Sequence, residues 1–160
     1  LSYATGIGDL VDSYERNVVA SSSESEADIR VIPLGVSYSR YYQYDSGLRA
    51  EVGLGPLFFL TGNNDHREIP VTASVGWTFM QDDDLSPFIS AGLSKHIVSG
   101  DYVEGDSVGL LIEAGLTFKK YGAKLGFDSS EVELQRIQSG ADGVDKVNTY
   151  DTVLTLFAKF

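Results

Sequence analysis

Taking every second residue from Thr149 onward splits the end of the chain into two faces. Tyr150, Thr152, Leu154, Leu156, Ala158 and Phe160 fall on one, and Thr149, Asp151, Val153, Thr155, Phe157 and Lys159 on the other. A period of two is the signature of a β-strand. The same pattern recurs along the chain. Residues 1–8 set Leu1, Tyr3, Thr5 and Ile7 against Ser2, Ala4, Gly6 and Gly8, and residues 29–42 set Ile32, Leu34, Val36 and Tyr38 against Gly35, Ser37 and Ser39. In 48–60, Leu48, Ala50, Val52, Leu54 and Phe58 oppose Arg49, Glu51, Gly53 and Gly55. The cleanest alternation is in 69–79, where Ile69, Val71, Ala73, Val75, Trp77 and Phe79 oppose Pro70, Thr72, Ser74, Gly76 and Thr78. Residues 85–98 place Ile89, Ala91 and Leu93 against Ser90, Gly92, Ser94 and His96. In 108–118, Leu110, Ile112, Leu116 and Phe118 oppose Gly109, Glu113, Gly115 and Thr117. In 121–128, Tyr121, Ala123, Leu125 and Phe127 oppose Gly122, Lys124, Gly126 and Asp128. No segment sustains a capped helical period.

These segments predict eight strands. Short turns are expected around 43–47, 81–84 and 119–122, and longer polar loops over 9–28, 61–68, 99–106 and 129–148. Long and short connections alternate, which is what an up-and-down meander gives when its two ends meet different surroundings. The expected fold is therefore all-β: one domain over residues 1–160, an eight-stranded antiparallel up-and-down β-barrel.

Two barrels fit eight such strands. A soluble lipocalin-like barrel turns its apolar face inward, and a membrane barrel turns it outward. Three features favour the second. The opposing face is small and charged, with Arg49, Glu51, His96, Glu113, Lys124, Asp128 and Asp151 among Gly and Ser. Eight strands enclose a lumen that side chains fill, so these residues are expected to form a packed polar network. The apolar face carries charges (Arg30, Arg40, Lys95, Glu131) only near strand ends, where long side chains reach water. Aromatics at Tyr38, Trp77, Phe79, Phe118, Tyr121 and Phe160 are expected to form an interfacial girdle at the short-turn end.

Composition narrows the partners. The longest strong apolar run, residues 56–60, is far short of the roughly 20 residues that a spanning helix needs. A mean hydropathy of -0.06 is compatible with alternating membrane strands. A net charge of -11 and the lack of a Lys/Arg cluster argue against nucleic acid as a partner. Without cysteine there is no disulfide, thiolate metal site or Cys nucleophile. The opening at Leu1, directly in a strand pattern, reads as a mature chain whose signal peptide has been removed. The 17 glycines suit a tightly curved sheet.

Eight alternating segments, short turns against long loops, and the closing Leu154-Thr-Leu-Phe-Ala-Lys-Phe160 together resemble the small outer-membrane β-barrels of Gram-negative bacteria: the OmpA transmembrane, OmpX and OmpW-like group. Pro87-Phe-Ile-Ser-Ala-Gly-Leu93 also looks like a strand of that group. The resemblance covers the whole chain. It implies a monomer integral to the outer membrane, in contact with its lipid and lipopolysaccharide, and delivered to the barrel-assembly machinery through the C-terminal strand.

Chemistry is sparse. One enzyme of this architecture, the lipid A deacylase, carries a His-Ser pair on a late strand; here Phe127 stands where that His would fall, although Ser129 is present. A serine without a base is a weak nucleophile. His96, with Ser94, Glu113 and Asp128 as possible neighbours, is expected to be a lumen histidine in a polar network. His66, beside Arg67 and Glu68, is expected to be solvated. Neither histidine has ligand spacing for a metal, Asp82-Asp-Asp84 lacks a calcium-loop pattern, and Gly6-Ile-Gly8 and Gly53-Leu-Gly55 lie in strands rather than phosphate loops. No catalytic residue, metal or cofactor is expected. The expected role is a non-enzymatic barrel displaying acidic loops for structural, adhesion or surface-interaction purposes. The alternatives are a narrow channel or conduit for small or hydrophobic molecules and, more remotely, a lipid A-modifying enzyme or a soluble binding barrel.

Overall fold

The computed structural model describes residues 1–5, 11–12, 29–62, 66–81, 84–100, 103–106, 108–135, 144–149 and 152–159. The strands are β1 (Ser2–Thr5), β2 (Ile29–Gln43), β3 (Leu48–Gly62), β4 (His66–Thr78), β5 (Leu85–Gly100), β6 (Val103–Asp106), β7 (Val108–Phe118), β8 (Tyr121–Asp128), β9 (Glu131–Gln135), β10 (Val144–Asn148) and β11 (Thr152–Ala158). Eight of them close a barrel in the order β1-β11-β8-β7-β5-β4-β3-β2, and every pairing is antiparallel. The predicted all-β up-and-down barrel is the fold observed.

The register follows the alternation. β4 and β5 pair without a shift from His66↔Gly100 to Thr78↔Phe88. Closure is made by β1, which pairs Ser2 with Thr155 of β11 and with Gly35 of β2. β2 and β3 carry irregularities between Ile32 and Gly35 and between Val36 and Tyr38. Glycine is required where walls or turns come close. A Cβ on Gly92 would lie 2.0 Å from the Ala73 carbonyl oxygen, which no backbone can yield. Gly47 turns the β2–β3 hairpin at φ 97°, a conformation that favours glycine, with the Trp77 indole packed against it.

Two expected loops need correction. Residues 99–106 and 129–148 were expected to be irregular, yet β6, β9 and β10 form a three-stranded sheet in the order β10-β9-β6. Val132 and Leu134 are buried in it at 0% and 2% exposure. Each of these strands has only four or five residues, too few for a period of two to stand out from a polar loop. The expected loop over 61–68 is also shorter, because β3 runs to Gly62 and β4 begins at His66.

The barrel is inverted relative to a water-soluble one. Its outward row holds Val52, Leu54, Val75, Leu93, Leu110, Ile112, Leu125, Leu154 and Leu156, all exposed, whereas Arg49, Glu51, Ser74, Ser90, Ser94, His96, Glu113, Thr117, Asp128 and Thr155 are buried inside. Among the described residues, Ala4, Pro70, Phe88, Leu111 and Val153 are apolar side chains buried with them. A water-soluble domain gains its stability by the reverse arrangement.

Candidate functional site

The side chains that the strand period sends inward meet in two clusters. The first sits toward the short turns and crosses the lumen. Arg49 Nη2 donates to Glu51 Oε2 at 2.5 Å; Lys124 Nζ lies 2.9 Å from Glu51 Oε1 and 2.6 Å from Glu113 Oε1; Ser90 Oγ donates to Glu113 Oε2 at 3.1 Å. β3, β5, β7 and β8 thus converge on one alternating chain of charges. The Arg49 guanidinium also lies over the Phe88 ring at 3.9 Å and the Tyr41 ring at 4.9 Å, and Phe157 meets Phe88 edge to face at 6.5 Å. Stacked cations and aromatics line this part of the barrel.

The second cluster lies toward the other rim. His96 is 1% exposed; its Nδ1 hydrogen-bonds to Glu68 Oε1 and its Nε2 lies 3.1 Å from Asp128 Oδ2. A carboxylate at each ring nitrogen suits the doubly protonated ring, in which both nitrogens donate. Ser130 Oγ lies 2.7 Å from Asp128 Oδ1, the Ser130 amide donates to the same oxygen at 2.9 Å, and Thr149 Oγ1 donates to Glu68 Oε1 at 2.7 Å. Ser130 immediately precedes β9 and Thr149 immediately follows β10. Both feet of the β9–β10 hairpin are therefore tied to the two carboxylates that His96 bridges.

Between the clusters lies a cavity of about 50 Å³, lined by Glu51, Glu113, Lys124, Asp128, Thr72 and Leu111. That is room for a few waters.

Of the expected network, Arg49, Glu51, Glu113 and Lys124 come together in one cluster and His96 and Asp128 in the other; Asp151 lies outside the described residues. Of the expected girdle, Trp77, Phe79, Phe118 and Tyr121 project outward close to the short turns. Tyr38 also projects outward, further along β2 and opposite Leu54, and Phe160 lies outside the described residues. Glu68, Ser130 and Thr149 were not singled out from the sequence. Glu68 had a signal: it is in phase with Pro70, Thr72 and Ser74, so extending the alternation of β4 by one step turns it inward.

At His96 both ring nitrogens face carboxylates, and the Ser130 hydroxyl bonds to Asp128 rather than to the ring, so no nucleophile–base pair is assembled there. Ser129 Oγ accepts the Leu110 amide at 2.8 Å, and Phe127 projects outward. Among the described residues no group of three or more His, Cys, Asp or Glu is placed to hold a metal ion. No protein-family model, curated protein or solved structure matches this chain.

Proposed function

We propose that this chain is an integral outer-membrane β-barrel protein without enzymatic activity, its rigid wall displaying acidic loops at the surface in a structural, adhesive or surface-interaction role. The observation that carries this reading is the inversion. Leu93, Leu110, Leu125 and Leu154 are 46–61% exposed around the middle of the wall, while His96, Glu113 and Asp128 inside are 1–6% exposed. In water that exchange of places would forfeit the hydrophobic stabilisation of folding, and in hydrocarbon it is the favourable arrangement. A closed barrel also leaves its paired strands without edges, as lipid requires. The aromatics near the short turns support placing that end at the periplasmic interface. The partners that follow are membrane lipid, lipopolysaccharide bridged to acidic loops by divalent cations, and the assembly machinery that would receive the last strand. The charge chain across the lumen weighs against an open conducting pore.

Detergent dependence tests the reading. Purified in dodecyl maltoside, the chain is expected to run as a discrete monomer, to precipitate when detergent is removed, and to enter liposomes. A monodisperse monomer in plain buffer would sink the proposal.

A further inference from the structure

The ring of His96 joins groups that lie far apart along the chain, and it can hold both only while both of its nitrogens carry protons. It is 1% exposed, with Glu68 at Nδ1 and Asp128 Oδ2 3.1 Å from Nε2. The two carboxylates are themselves enclosed, with side chains 8% and 4% exposed. In the doubly protonated ring each carboxylate receives a donor. With one proton gone, a ring lone pair faces a carboxylate, and two acceptors do not bond each other. At this depth little water is at hand to replace the lost bond, so leaving the groups face to face is costly.

The fold decides what gives way. Glu68 accepts the Thr149 hydroxyl at 2.7 Å, and Asp128 accepts the Ser130 amide at 2.9 Å and hydroxyl at 2.7 Å. These are the feet of the β9–β10 hairpin, which pairs onward with β6 in a sheet separate from the barrel. The wall beneath is held differently. β4 with β5 and β7 with β8 are joined by continuous backbone ladders, which the protonation of a side chain does not touch. The ring is faced by Glu68 from β4 and by Asp128 from β8. On its own strand Lys95 is exposed on the outer side, β7 sets Gly109 opposite Ser94, and the hairpin feet bring hydroxyls. Glu113 and Lys124 bond each other in the first cluster.

We infer that His96 is a proton-operated latch: the doubly protonated ring fastens the β6–β9–β10 sheet to the mouth of the barrel, and loss of one ring proton as the pH rises loosens that sheet while the barrel stays closed. The latch rests on the geometry around His96, whichever solvent meets the outer wall. The sheet it fastens lies at the rim opposite the short turns, the end that the reading above displays at the surface.

Site-directed spin labelling tests it. The chain has no cysteine, so Lys146→Cys, at a β10 position whose side chain is 58% exposed, takes a single nitroxide. Spectra of the full chain in dodecyl maltoside are followed from about pH 5 to about pH 11, which spans the ring's titration. The ratio of mobile to immobile label should rise reversibly by about tenfold, the worth of one hydrogen bond to a charged group. A label at Asp45→Cys, in the exposed β2–β3 turn, should not respond. Histidine labelled with carbon-13 supplies the second measurement. The two ring signals, His66 and His96, are assigned by His66→Asn, and the His96 midpoint should coincide with that of the β10 label. His96→Gln should leave the β10 label mobile at every pH, and Lys95→Gln, which removes a nearby cation, should leave the step in place. No step in the wild-type background, equal loosening at both labels, or a ring midpoint apart from the label midpoint would overturn the latch. So would a step that survives His96→Gln or vanishes in Lys95→Gln. A chain that stays monodisperse without detergent and still shows the step loses the membrane reading and keeps the latch. A chain that needs detergent but shows no step loses only the latch.

Discussion

Lys124 is the residue on which the lumen's charge balance turns. Its ammonium is the shared partner of Glu51 and Glu113, at 2.9 and 2.6 Å. Lys124→Met keeps most of the side-chain volume but leaves Glu113 with Ser90 alone and Glu51 with Arg49 alone. Stranding a buried charge costs about 3–5 kcal/mol, so the urea midpoint should fall by the corresponding amount. Adding Glu113→Gln to Lys124→Met should recover part of the loss, because residues in one network do not act additively. Equal stability of wild type and Lys124→Met would mean that the ion chain does not hold the lumen together. Most of this cluster is legible in the sequence, because Arg49, Glu51, Glu113 and Lys124 all fall on the polar side of a strong alternation. Which carboxylate meets which cation is not legible, because partners as far apart as Lys124 and Glu51 are set by the closed register, not by spacing along the chain.

Among the elements, the β9–β10 hairpin is tied to the barrel in part through a single ring, His96. Glu68 and Asp128, bridged by His96, take the hydroxyls of Thr149 and Ser130 at the hairpin's two feet. His96→Gln can donate from only one nitrogen, so it must release one of the two carboxylates. Amide exchange at Val132 and Leu134 should then quicken, while exchange in the middle of β4 and β7 should not. Uniform change across the barrel would mean that His96 supports the wall as a whole. The barrel strands were readable because β4, β5 and β7 alternate over 11–16 residues. β6, β9 and β10 were not, since Val132 and Leu134 are the only apolar residues of β9 and their burial comes from distant partners in β6 and β10. Glu68 was missed for a related reason: its own neighbours His66 and Arg67 are polar, and only the strand beyond it reveals its phase.

For the whole molecule, the outward row decides which solvent the barrel lives in. Leu93 is 55% exposed and pairs with Ala73 and Leu110 well away from the strand ends. On a lipid-facing wall Leu93→Arg should cost about 2–4 kcal/mol in liposomes. On a water-facing wall the same exposed substitution should stay within about 0.5 kcal/mol. Denaturant titration of the reconstituted protein separates the two outcomes. The closing pair adds a constraint of another kind, one of timing. Ser2 and Thr155 are joined hydroxyl to hydroxyl at 2.9 Å across 153 positions of sequence, whereas β4 with β5 and β7 with β8 are neighbours along the chain. Local pairings form early and a distant one late, because loop closure must come first. Neighbouring hairpins can therefore pair first, and the ring shuts only when Thr152–Ala158 comes back to Ser2–Thr5. Until then the facing sides of β1 and β11 are unpaired edges, which other strands could join.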